Sequence, residues 1–173
     1  MAESRSALPE PWLRGTLTEV PAVARAVLHA LELAQEDLHR WCGGLRAEQI
    51  HTRPAGLPSV GFQIRHIAGS IDRLLTYAEG QALTEAQQQA LKLEAGATGS
   101  TQEILAALDA AVSRAFQRVR DLSSQDYSAP RLVGRKQLPT TLGGLLVHVA
   151  EHTQRHVGQA ITTAKLVSAS KAL

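Results

Sequence analysis

Hydrophobic residues recur at every third or fourth position along most of this chain, which is the period of an amphipathic α-helix. Four segments carry the pattern over about 20 residues or more, and they predict helices at 21–41, 59–79, 101–122 and 140–167. Residues with β-branched side chains rarely alternate with polar ones. The pattern therefore predicts an all-α fold.

Residues that favour helix ends stand at the edges of these segments. Pro21 suits a first helical turn, and Gly43 follows the first segment as a stop. Ser59 can cap the second helix. Ser100 and Glu103 have the spacing of a capping box ahead of the third. These signals support the four predicted boundaries.

The connections between the helices are long. We expect a loop at 45–58, a connection at 81–100 with a short helix at 84–93, and an irregular stretch at 123–139. Connections of this length favour a four-helix bundle with a long crossover over a simple up-and-down bundle. We expect a single domain over 1–173, with its core at about 20–167 and loose ends at 1–18 and 168–173.

Composition excludes several classes of function. A net charge of +2 and only two each of Phe, Tyr and Trp argue against a nucleic-acid partner. The single Cys42 excludes an internal disulfide, and we expect either an inert thiol or a reactive one at a helix end. No apolar run approaches the ~20 residues of a membrane span, and the N-terminus lacks the apolar core of a signal peptide. We therefore predict no membrane association and a cytoplasmic location.

Candidate chemistry lies in the histidines of the last predicted helix. His148, His152 and His156 are four residues apart, which places them on successive turns of one face. On an ideal helical wheel His156 falls in the apolar stripe, His152 at its edge and His148 further toward solvent. Two imidazoles at this spacing can share one metal ion, whereas hydrogen bonds would satisfy them equally well.

A third metal ligand would have to come from another helix. His66, in the second predicted helix, lies off the main apolar stripe on a flank that can face a groove between helices. His29, beside the apolar Leu28 of the first helix, is the competing candidate. Periodicity permits either placement.

Two motifs give the chain a family resemblance. One surrounds His66, and the other is the pattern His-x3-His-x-Gly-Gln of the last helix; the residues are Ser59, Val60, Gly61, Ile64, His66 and Ile67, and His152, His156, Gly158 and Gln159. With these motifs, in this order, the chain resembles the DinB-like superfamily, which includes the YfiT-like metal hydrolases. The resemblance extends over about residues 22–167.

The resemblance implies an up-up-down-down bundle in which His66, His152 and His156 hold a divalent ion, nickel or zinc, with His148 nearby but not a ligand. It also implies a small-molecule substrate, because characterised relatives include transferases that use low-molecular-weight thiols as cosubstrates. We expect a metal-dependent hydrolase or a thiol S-transferase, and a homodimer. The family often has Asn at the position of Glu151 and Arg at that of Val157.

Three neutral imidazoles leave an ion with open coordination positions, where it can activate water or hold a thiol as the thiolate. A general base is not evident, since the wheel turns Glu151 outward. This favours an alternative, a metal- or ligand-binding stress protein without turnover. A bundle built for dimerisation is the third hypothesis.

Overall fold

A computed structural model describes residues 8–96 and 98–169, and over these the chain is mostly helical with one small sheet. The helices are α1 (Ala22–Cys42), α2 (Ala47–His51), α3 (Val60–Ala78), α4 (Glu85–Leu93), α5 (Thr101–Leu122) and α6 (Leu142–Ala169). The strands are β1 (Pro130–Val133) and β2 (Leu138–Thr141), and short 3-10 turns cover Pro11–Leu13 and Pro54–Gly56. The predicted all-α class is confirmed in this broad sense.

The predicted caps start the helices. Ser59 Oγ accepts a hydrogen bond from the Phe62 amide at 3.2 Å. Ser100 and Glu103 form a capping box at the start of α5, in which the side chain of each accepts a hydrogen bond from the backbone N–H of the other. The short helix expected at 84–93 is α4, and it begins after a capping Thr84.

The four long helices α1, α3, α5 and α6 enclose the core, and both α1 and α3 pack against α5 and α6. The core consists of the residues of the predicted apolar stripes, and side chains such as Leu31, Ile64 and Leu146 are fully buried. Cys42 is fully buried as well, and burial raises the pKa of its thiol to about 12. Of the two readings of this cysteine, the structure supports the inert one.

Contacts between α1 and α6 show that the first and last helices run in the same direction. Gln154 Nε2 donates to the Ala30 carbonyl oxygen at 2.7 Å. Eleven residues further along each helix, Lys165 Nζ lies 4.4 Å from the ring centroid of Trp41. The residue numbers therefore increase in the same direction along α1 and α6, so the two helices are parallel.

The helix α3 runs opposite to α6. His66 contacts His152, whereas the earlier Gln63 contacts the later His156. Because α6 is parallel to α1, α3 must be antiparallel to α1.

The helix α5 is also antiparallel to α1. His39, near the end of α1, pairs with Asp109 at 2.9 Å, and Glu19, just before α1, pairs with Arg120 at 2.9 Å. The order is therefore up-down-down-up, and the up-up-down-down order expected from the resemblance is wrong. The reason is that α3 and α5 are parallel, so the connection between them at 79–100 has to return along the length of α3 before α5 begins.

Two connections hold more structure than predicted. The expected loop at 45–58 contains α2 and the 3-10 turn Pro54–Gly56. The expected irregular stretch ends in an antiparallel hairpin that extends to Thr141, with Arg131 opposite Thr140. The last helix therefore begins at Leu142, and its predicted start at 140 is wrong by two residues. Strands of four residues give too short an alternation to be recognised in a sequence.

The chain ends are described only in part. Arg14 Nη1 bonds to Glu36 Oε1 at 2.6 Å, which holds the segment after the 3-10 turn Pro11–Leu13 on α1. The predicted loose ends also include residues 1–7 and 170–173, which lie outside the described residues. Among the helices of the described part, none is both long and apolar enough to traverse a lipid bilayer.

Candidate metal centre

Three histidines from two helices meet at one point. His66 of α3 and His152 of α6 approach to 3.1 Å between their Nε2 atoms. The ring of His156 lies 4.5 Å, centroid to centroid, from each of the other two rings. One ring nitrogen from each of the three lies within 4.8 Å of the others. Antiparallel packing of α3 on α6 brings His66 against two successive turns of α6.

The outward-facing nitrogens of two rings have polar partners. His66 Nδ1 lies 2.8 Å from Glu94 Oε2, and His156 Nδ1 lies 2.6 Å from Gln63 Oε1. A carboxylate or amide oxygen only accepts hydrogen bonds, so each Nδ1 is the donor, and in a neutral imidazole this leaves the lone pair on Nε2. Histidines that bind metals are usually held in this way.

The geometry fits a divalent ion. Two nitrogens bound to a tetrahedral zinc ion at 2.0–2.1 Å would lie about 3.3 Å apart. The separation of 3.1 Å between the His66 and His152 nitrogens is close to that value. Three nitrogen donors also suit nickel, and they leave at least one coordination position open.

Burial favours the neutral form of two of the three imidazoles, those of His152 and His156. Burial lowers the pKa of His152 to about 4, and the neighbouring charges of His156 and His66 act in the same direction. Burial likewise lowers the pKa of His156. The neutral imidazole, which is the form that binds a metal, is therefore the form of both rings at pH 7.

The comparison with protein families agrees with the motifs around this cluster. The DinB superfamily matches residues 30–160, a span that includes all three histidines. This chain belongs to the DinB superfamily. A comparison with curated proteins finds no match.

In this DinB-superfamily chain, a buried ion pair supports His66. Glu94 is only 8% exposed, and while one of its oxygens faces His66, the other accepts from Arg73 Nη1 at 2.5 Å. A Cβ atom at Gly69 would overlap both Glu94 Oε1 and Arg73 Nη1, so this glycine leaves room for the pair. The crossover at 79–100 brings Glu94 to the site.

Sequence reasoning missed Glu94, although one signal was present. Glu94 directly follows α4, where the helix dipole disfavours a carboxylate. A negative charge at such a position needs a compensating partner, and here Arg73 provides it. Gln63 was also missed, because a glutamine in a helix is usually solvated.

The competing histidines have other partners. His29 is buried on α1 with Nε2 3.2 Å from Thr16 Oγ1, so it is a core histidine satisfied by a hydroxyl. His148 lies 5.4 Å from His152 between ring centroids, and its Nδ1 is 3.4 Å from Glu151. Among the described residues neither belongs to the three-histidine group. Glu151 is exposed, in agreement with the helical wheel.

Proposed function

We propose that this protein is a metal-dependent enzyme that acts on a small molecule, either as a hydrolase or as a low-molecular-weight-thiol S-transferase. His66, His152 and His156 would hold the ion, nickel or zinc. The observation that carries the proposal is the convergence of three imidazoles, two of them with Nδ1 held by a buried acceptor. Membership of the DinB superfamily supports it.

The ion and the side chains around it would have different roles in the reaction. A bound divalent ion supplies a Lewis acid that activates water or a thiol. Glu94 and Gln63 fix the orientation of two rings. The ring of Phe62 stacks on that of His66 with centroids 5.6 Å apart and an angle of 13° between planes, so it covers one face of that ligand.

A specific observation supports a second candidate, a metal- or ligand-binding protein without turnover. Glu94 is the carboxylate that contacts the histidines, and both of its oxygens are engaged, by His66 and by Arg73. It is therefore not free to act as a general base. The dimerisation bundle is the third candidate, and the homodimer, the small-molecule substrate and the cytoplasmic location remain predictions.

The first test is metal content. Untagged protein should contain about one equivalent of nickel or zinc by elemental analysis, because three preorganised nitrogens favour binding. The His152→Ala variant should lose most of it, and a chelator should lower the melting temperature of the loaded wild type.

His148→Ala is the matched control, since it removes a neighbouring imidazole of the same helix. It should retain the metal. Equal metal content in the His152→Ala variant and the wild type would contradict the site.

Catalysis needs a separate assay. Metal-loaded protein should either release the alcohol of an activated ester or join a low-molecular-weight thiol to an aryl halide, and the His152→Ala variant should do neither. If the loaded wild type catalyses neither reaction, the non-catalytic candidate is preferred.

A further inference from the structure

A groove of about 520 Å³ lies against α6 and the start of α3, and one of its lining residues, Gln63, contacts His156 of the cluster. Its lining residues are Leu57, Pro58, Gln63, Arg155, Gly158, Gln159, Thr162 and Thr163. Arg155 is the charged residue among them, and it is paired with Glu151. The groove therefore combines apolar walls with uncharged hydrogen-bonding groups and offers no uncompensated charge.

Gln63 links this groove to the histidine cluster. The side chain is buried, at 2% exposure, and its Oε1 is occupied by His156. Among residues 8–96 and 98–169, no group accepts a hydrogen bond from Gln63 Nε2. This nitrogen is not enclosed, since Thr153 Oγ1 is the side-chain atom that is both buried and unpaired among the described residues. Gln63 lines the groove, so its Nε2 is open to a ligand there. An acceptor oxygen on a molecule in the groove would satisfy it.

Gly158 has no packing reason to be glycine. It lies inside α6, and a Cβ atom built on it meets nothing within 4 Å. Glycine within a helix is destabilising relative to alanine. Since Gly158 lines the groove, a larger side chain there would fill it. A glycine at this position therefore leaves the groove open.

We propose that this groove is the substrate subsite of the metal centre and that it takes an uncharged acyl or amide compound. A carbonyl oxygen of the ligand accepts from Gln63 Nε2, and an apolar chain lies against Leu57 and Pro58. The inference rests on the proposed function, because the reacting end of the ligand must reach the histidines. Gln63 would then be a specificity residue, since one amide contacts both ligand and His156.

Alkyl hydroxamates, which bind metal ions, provide the probe. We expect zinc-loaded protein to bind hexanohydroxamate at least tenfold more tightly than acetohydroxamate in calorimetric titrations. The longer compound has four further methylenes, and each one fully buried contributes about fourfold in affinity.

Two variants at Gly158 form a matched pair, because Ala and Leu have similar helix propensities. Gly158→Leu should abolish the gain from the longer chain and leave zinc affinity unchanged. Gly158→Ala should keep most of the gain and raise the melting temperature.

A variant of Gln63 tests the hydrogen bond. Gln63→Glu keeps an acceptor for His156 but replaces the free donor by a carboxylate oxygen. At equal zinc occupancy, which is titrated separately because Gln63 also contacts His156, hexanohydroxamate should bind about tenfold more weakly. An unchanged hydroxamate affinity would remove Gln63 from the subsite.

The outcomes separate the two proposals. If the wild type binds no zinc, the proposed function fails, and the groove proposal, which rests on it, fails with it. If zinc binds but both hydroxamates bind equally well, or the Gly158→Leu variant retains the gain, the metal centre stands and the groove proposal is overturned.

Discussion

At the scale of single residues, the surroundings of each imidazole decide its role. His29 meets a hydroxyl in the core, and His39 meets the carboxylate of Asp109 near the surface. His66 differs because its outer nitrogen faces a buried carboxylate while its inner nitrogen faces two other histidines. The same side chain is structural in one place and a candidate ligand in another.

Glu94 should therefore set metal affinity through His66. The Glu94→Gln variant keeps the shape of the side chain but removes its charge, so it weakens both the polarisation of His66 and the pair with Arg73. We expect zinc to bind about 10–100-fold more weakly in a competition titration with a chromogenic chelator.

Glu48→Gln is the control, since the Glu48 side chain is 83% exposed and its carboxylate is 4.0 Å from Arg46. Its zinc affinity should match that of the wild type. If the Glu94 variant also matched the wild type, Glu94 would have no role at the site.

At the scale of elements, helix starts were predictable because their signals are local. Ser100 and Glu103 cap α5 through contacts within four residues. The hairpin β1–β2 was not predicted, since each strand is stabilised by its partner across the turn rather than by its own sequence. The exposed Leu132 and Leu138 also obscure any pattern of buried and exposed positions.

The capping box makes a stability prediction. Ser100→Ala removes the acceptor for the Glu103 amide, so urea denaturation should show a loss of about 1 kcal/mol in the free energy of unfolding. Ser113→Ala, at an exposed position inside the same helix, should be neutral or slightly stabilising. Equal effects of the two substitutions would mean that the cap contributes nothing.

At the scale of the whole molecule, the histidine cluster couples folding to pH. The pKa of His152 is about 4 in the folded protein, against an ordinary value of 6.5. Between these values the unfolded chain binds a proton that the folded chain does not bind. The free energy of unfolding therefore increases with pH across this window and decreases on acidification.

This can be measured on metal-free protein. The melting temperature should fall as the pH is lowered from 6.5 to 4, and a His152→Gln variant should show a smaller fall. Some dependence should remain in the variant, because burial also lowers the pKa of His156. Identical pH profiles for the variant and the wild type would contradict the role assigned to His152.

The sequence by itself determined the features that depend on near neighbours. Helical periodicity defined the four long helices and their buried faces. The four-residue spacing placed His152 and His156 on one face, and the motifs identified His66 as their partner and the DinB superfamily as the family.

Only the tertiary structure decided how these parts meet. The length of the crossover at 79–100 could be read from the sequence, but its path could not, and that path sets the direction of α5 and brings Glu94 to His66. Gln63 and Gly158 line one groove only because α3 packs against α6. Contacts between residues far apart in sequence depend on the free energy of the whole packed core. A local pattern of residues therefore does not predict them.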